Sequence, residues 1–121
     1  MAYDETNIFA RILRGELPCE KVYEDDHVLA FHDIHPQAPI HVLVIPKGSY
    51  VSLADFSAGA GEAELASFFQ AVGKVAKELG LEGDGYRVLA NHGPHSNQEV
   101  PHFHVHIMGG RPLGPLLARP G

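Results

Sequence analysis

The sequence predicts an α+β fold of about five antiparallel strands, one long helix and one short helix. Three stretches carry that prediction. Pro101-His102-Phe103-His104-Val105-His106-Ile107-Met108 alternates histidine with apolar residues, the period of a β-strand. Ile40 to Ile45 is apolar on both faces save for His41, as a central strand covered on both sides would be. Leu65, Phe68, Phe69, Val72, Val75, Ala76 and Leu79 recur at helical spacing and form one unbroken stripe.

Each element follows in chain order. Ile8, Phe9, Ile12 and Leu13 have the pattern of a short amphipathic helix over about Asn7 to Arg14, capped by Thr6 or Asn7 and ended by Gly15 and Pro18. Lys21 to Glu24 and Val28 to Ile34 read as a hairpin turning at Asp25-Asp26. Its second strand sets Leu29, Phe31 and Asp33 on one face, so the carboxylate is either a strand end reaching solvent or an acceptor for a ligand hydroxyl. The loop His35 to Pro39 holds two prolines and cannot be helical. His41 is the one polar residue in the next strand and needs a hydrogen-bond partner there. Pro46 ends that strand.

Ser52-Leu53-Ala54-Asp55 resembles a capping box and predicts a helical turn. The long helix should run from about Gly61 to Leu79, with Glu62 and Glu64 at its positive end and Lys74 and Lys77 toward its negative end. Gly73 inside it costs roughly 1 kcal/mol against alanine, which points to another element approaching closely. Phe68 and Phe69 read as core or interface. Tyr86 to Asn91 is the next strand, and the polar loop His92 to Glu99 delivers the chain to the histidine strand. The tail from Gly109 (109–121) has too much glycine and proline for regular structure, yet its leucines call for burial, as a second subunit would provide. The 121 residues read as one domain.

Composition narrows the class. A hydrophobic share of 45% and a charged share of 20% are those of an ordinary globular protein. A net charge of −6 argues against binding a nucleic-acid polymer over a broad surface. One cysteine, Cys19, excludes an intrachain disulfide and any multi-cysteine zinc site within one chain, and it fits a reducing compartment. No apolar run reaches the length of a membrane span, and Met1 to Glu5 is acidic where a signal peptide is basic, so a cytoplasmic protein without membrane contact is expected.

On a strand, His102, His104 and His106 would line one face about 6.6 Å apart, with Phe103, Val105 and Ile107 turned into a core. Three imidazoles on one face suit chemistry on protons, phosphate or metal near neutral pH. Two chemistries compete. In one, His104 is a nucleophile toward phosphorus, flanked by histidines that hold phosphate and manage the leaving-group proton. In the other, the histidines bind a metal with help from Glu99 or Asp33. A nucleotide-binding or scaffolding module with incidental catalysis is a third possibility.

The stretch His102 to Met108 resembles the His-φ-His-φ-His-φ-φ signature of the histidine triad (HIT) nucleotide-binding family. Ile8 to Ile12, Tyr23 to Asp26, Ala30 to Ile34, Pro36 to His41 and Val44 to Lys47 resemble its Hint branch, as does Gly109-Gly110-Arg111-Pro112. The resemblance implies a purine nucleoside phosphoramidase that cleaves the P–N bond of adenosine 5′-phosphoramidates and aminoacyl-type adenylates. Some members of the family carry a zinc site built partly on cysteines, and with Cys19 alone this chain is expected to need no metal and no cofactor. The resemblance implies that His104 is the nucleophile, that His102 and His106 orient it and contact the phosphate, and that His41 completes the proton network. Asp33 would accept the ribose hydroxyls. Ile8, Phe9, Ile12, Phe31, His32 and Ile34 would form the nucleoside pocket, with Asn91 and Gln98 on the sugar–phosphate. It also implies a homodimer whose two sheets join. Two departures stand out: Glu99 lies near the leaving group where several members carry serine, and Pro101 replaces a common tyrosine.

Overall fold

The computed structural model describes residues 2–118, so positions 119–121 of the predicted tail lie outside the described residues. In chain order the elements are α1 (Ile8–Leu13), β1 (Lys21–Glu24), β2 (Val28–His32), β3 (Ile40–Pro46), α2 (Leu53–Gly59), α3 (Glu62–Glu78), β4 (Tyr86–Ala90) and β5 (Val105–Gly109). The strands form one antiparallel sheet in the order β1-β2-β3-β5-β4. The predicted class stands.

The sheet separates two apolar layers, and strand parity decides which residue joins which. Val28, Ala30, Val42, Val44, Val105 and Ile107 face α2 and α3, where Phe56, Phe68, Val72 and Val75 complete the larger core. Leu29, Phe31, Leu43 and Ile45 face the other way and pack with Phe9 of α1. His41 alternates into this second layer. Both faces of β3 are covered, as its composition predicted.

The local chemistry explains the boundaries. The Asn7 side chain caps α1 by accepting from Ala10 N–H at 2.9 Å. Asp25 turns the hairpin by accepting from the N–H groups of His27 and Val28. Gly80 takes φ +76° after α3, where an L side chain would be strained, and its N–H closes onto the Lys77 carbonyl.

Several expectations need correcting. The histidine strand is shorter than its alternation predicts, because β5 begins only at Val105. Pro101 has no N–H to give a ladder, and Phe103 donates instead to the Tyr50 carbonyl at 2.7 Å. The alternation of faces nevertheless continues back through Phe103. β2 ends at His32, leaving Asp33 one residue beyond the strand. The helical turn at Ser52 becomes a full seven-residue helix, because its capping box is complete and Phe56 stacks on Phe103 with ring centroids 4.9 Å apart. Phe69 is 54% exposed, beyond the edge of the buried stripe. A Cβ built on Gly73 meets nothing within 4 Å among the described residues, so no close approach explains that glycine. In the tail, Leu116 and Leu117 are exposed, while the Arg87 guanidinium donates to the Gly114 and Pro115 carbonyls.

Candidate active site

The histidines meet along the seam where β3 and β5 lie side by side in the sheet, on the face that carries α1. Their tautomers can be read from their partners. The Gln37 N–H donates to Nδ1 of His41 at 3.0 Å, so a neutral His41 keeps its proton on Nε2. That Nε2–H donates to Nδ1 of His106 at 2.9 Å, which places the His106 proton on its own Nε2. Nε2 of His106 is buried and meets no hydrogen-bond partner among the described residues. A buried donor without an acceptor is costly unless a ligand supplies one.

His104 is arranged differently. Its Nδ1–H donates to the His102 backbone carbonyl at 2.7 Å, leaving the lone pair on Nε2. Phe9 closes one side of the ring edge-on at 5.0 Å, and the His106 ring lies 5.0 Å away on another. A neutral imidazole with one nitrogen fixed as donor and the other free is a competent nucleophile.

Burial keeps these rings neutral. It lowers the pKa of His104 below the usual imidazole range, although the bond to the His102 carbonyl and the charges of Asp33 and Glu99 oppose it. His106 is pushed down to about 4 by burial and by the neighbouring histidines. Burial lowers His41 as well, against the attraction of Asp33.

His102 lies at the bottom. It is fully buried, its Nε2–H donates to the Pro46 carbonyl at 2.8 Å, and the Tyr3 hydroxyl engages its Nδ1. With both ring nitrogens committed, it has none to offer a phosphate. Its contribution to the site is the carbonyl that holds His104. Burial pushes its pKa down to about 4.

The structure brings together most of the residues picked out in the sequence. Asp33 Oδ2 sits 3.4 Å from His41 Nε2, and Asp33 Oδ1 accepts from His35 N–H at 2.8 Å. Phe9 and Phe31 pack edge-on at 5.5 Å, and Ile12 adjoins them. Ile8 is half exposed, His32 is exposed, and Ile34 is 84% exposed at the rim. Asn91 is half-buried and makes no side-chain hydrogen bond among the described residues. Gln98 is spent internally: its amide donates to the Val51 and Val100 carbonyls and accepts from Gly93 N–H. It shapes the loop instead of offering its amide to a ligand. Glu99 is exposed on that loop.

Sequence reasoning passed over Tyr3, the Gln37 N–H and the Pro46 carbonyl. The backbone groups leave no mark in composition, and a lone tyrosine ahead of α1 carries no motif.

Asp33, His41 and His106 offer ligand atoms within 4.8 Å of one another, a spacing open to a metal. The His41–His106 separation of 2.9 Å is that of a hydrogen bond, with one lone pair aimed at the other ring's proton. As they stand, these rings are paired to each other instead of converging on a third point.

An open antiparallel sheet bearing neutral, mutually oriented histidines at the mouth of a central strand defines a histidine-triad type of protein. A profile of the HIT domain matches residues 14–113, and the chain belongs to the HIT family. It is 61% identical over 117 residues to an uncharacterized 13.2 kDa HIT-like protein of Azospirillum brasilense, covering 97% of this chain and 96% of that one. It is 46% identical to the purine nucleoside phosphoramidase of Escherichia coli, covering 97% and 98%. Among solved structures, a HIT family hydrolase from Clostridium thermocellum superposes with a TM-score of 0.83 at 37% identity, covering 95% and 99%. A histidine triad protein from Clostridium difficile gives 0.82 at 42% identity, covering 94% and 98%.

Proposed function

We propose that this chain is a nucleotide hydrolase that cleaves the P–N bond of purine nucleoside 5′-phosphoramidates, aminoacyl-type adenylates included. The observation that carries this reading is His104 itself, with Nδ1 tied to a backbone carbonyl and Nε2 left as a lone pair beside the orphaned Nε2–H of His106. The kinship with an Escherichia coli protein named for that activity supports it.

In this reading Nε2 of His104 attacks phosphorus, the P–N bond breaks, and a nucleotidyl-histidine forms. The nitrogen must gain a proton as it leaves, and solvent supplies it, because a neutral imidazole cannot give up its N–H. The His106 Nε2–H instead donates a hydrogen bond to the phosphoryl oxygens as charge gathers there. Water then attacks the same phosphorus and frees the nucleotide. The proton water loses balances the one the amine gains. His41 keeps His106 in the donating tautomer, Asp33 accepts the ribose hydroxyls, and Phe9, Phe31 and Ile12 cover the purine. Ile8, His32 and Ile34 form the rim of that pocket, Asn91 contacts the sugar–phosphate, and Glu99 stands at the leaving-group side. No cofactor or metal enters this scheme.

The whole chain acts as one catalytic unit here and works as a homodimer. Supporting the dimer, β4 is an edge strand whose Tyr86 and Val88 are 40% and 45% exposed, and Phe69 on α3 is uncovered as well. Cytoplasmic residence fits the lone cysteine, and no helix among the described residues is long and apolar enough to cross a membrane.

A panel of purine and pyrimidine nucleoside phosphoramidates, incubated with and without a chelator, tests the reading. Release of amine and purine nucleotide is expected. Turnover of none of them would overturn it.

A further inference from the structure

We infer that Tyr3 is a positioning residue of the triad, whose hydroxyl locks His102 and through it sets the ring of His104. The inference rests on the role proposed above for His104.

Tyr3 comes from the segment ahead of α1, and that segment is tied down. Asn7 donates from its side-chain amide to the Asp4 carbonyl at 2.7 Å while its own oxygen caps the helix. Asp4 Oδ1 accepts from the backbone and hydroxyl of Thr6, and Arg14 donates to the Glu5 carbonyl at 2.8 Å. The chain therefore enters α1 on a fixed path, with Tyr3 laid over His102, ring edge to face at 5.6 Å.

What Tyr3 does there follows from the tautomer. The Pro46 carbonyl can only accept, so it holds the His102 proton on Nε2 and leaves a lone pair on Nδ1. In a fully buried ring that lone pair needs a donor, and the Tyr3 hydroxyl is the one that meets it. With both nitrogens held, the ring cannot turn over or exchange tautomers. The next group along the chain is the His102 carbonyl, which accepts from Nδ1–H of His104 and so keeps the His104 lone pair on Nε2. Tyr3 is thus two hydrogen bonds removed from the attacking nitrogen, and it touches neither substrate nor phosphorus.

Removing the hydroxyl alone isolates this role, because Phe9 packs against both His102 and His104 and a phenylalanine at position 3 keeps the edge contact. In Tyr3→Phe, Nδ1 of His102 is left bare and the carbonyl above it loses its fixed orientation. The experiment compares wild type and Tyr3→Phe by ring ¹⁵N chemical shifts of ¹⁵N-histidine-labelled protein without substrate, by steady-state kinetics on adenosine 5′-phosphoramidate, and by thermal melting. The expected result is a His102 ring that leaves its single tautomer and a kcat lowered about tenfold, as for other groups that orient a reacting ligand. KM and the melting temperature should stay nearly unchanged. His102 and His104 shifts unchanged in Tyr3→Phe would overturn the inference, as would altered shifts with kcat intact. A fall in KM and melting temperature with no tautomer change would make Tyr3 a packing residue only, and so also overturns it. If wild type fails on phosphoramidates, the reaction proposed above falls, and the shift comparison still decides whether Tyr3 locks His102.

Discussion

His41 and His106 are joined by a 2.9 Å hydrogen bond that runs in one direction, from Nε2–H of His41 to Nδ1 of His106. The direction is imposed from behind, by the Gln37 N–H on the far nitrogen of His41. It aims the remaining His106 proton into a space where no described residue accepts it. The site is therefore asymmetric: one imidazole offers a lone pair, its neighbour a proton.

His104→Ala should lower turnover by at least roughly three orders of magnitude, the scale for losing a nucleophile, while nucleotide binding persists. Phosphorus stereochemistry checks it independently, since two in-line displacements retain configuration. Inversion at a chiral thiophosphoramidate would remove His104 from that role.

Asp33→Ala should weaken nucleotide binding by losing charge-assisted bonds to the ribose, about 1.5–3 kcal/mol each. Because Asp33 also accepts from His35 N–H, the loop will loosen in the same variant. A 2′,3′-dideoxy substrate separates the two effects. Wild type and mutant should handle it almost equally, and an equal loss on that analogue would make Asp33 structural.

Acid should destabilise the fold between about pH 6.5 and 4. Folded His102 titrates near 4 because burial disfavours its charge, whereas the unfolded side chain titrates near 6.5. In that window the unfolded chain binds the extra proton, so stability falls as pH falls, by about 1.4 kcal/mol per pH unit from His102 alone. Above 6.5 this contribution is fully present. Urea midpoints measured from pH 7.5 to 4.5 test it, and a midpoint that stays level across the window would contradict it.

Turnover should survive exhaustive chelation. The Asp33–His41–His106 cluster makes the check worth doing, because its atoms are close enough for a metal. Stoichiometric zinc in active protein, with activity lost on chelation and restored on re-addition, would reverse the assignment of His41 and His106.

In solution the mass should exceed the 13.1 kDa of one chain, with β4 edges paired and Phe69, Tyr86 and Val88 covered. Light scattering at micromolar concentration decides this, and a mass near 13 kDa would refute the dimer.

Much of the site was legible because strand parity is a strong rule. His104, His106, His41 and the residues feeding each apolar layer could be assigned to faces from alternation alone. Asp33 was placed on the right side although the strand stops one residue short of it. The burial of His102 was not legible, because alternation says which face a side chain takes and nothing about what lies over it. There it is Tyr3 and Phe9, from a segment a hundred residues away in the chain. Gln98 looked like a ligand contact because a polar loop beside a reactive strand is where such contacts occur. Its amide instead answers carbonyls that appear only once Val51 is brought alongside. The start of α2 was legible from its capping box, but its full length was not, because one buried residue, Phe56, makes no period. Phe68 and Phe69 were read together as core or interface, and only Phe68 is core, because spacing gives the centre of a stripe better than its width.

The two-sided sheet has a consequence for how this chain can change over time. On β3, Val42 and Val44 feed the large core, while His41, Leu43 and Ile45 feed the reactive side, a backbone's thickness away. Substitutions at alternate positions therefore fall on separate traits, robustness on one set and chemistry on the other. Selection can tune one with little effect on the other. A single-residue insertion or deletion within β3 breaks that independence at once, because it swaps the two sets and degrades both traits together. Drift in these strands should therefore proceed by replacement, with length changes confined to the loops that join them.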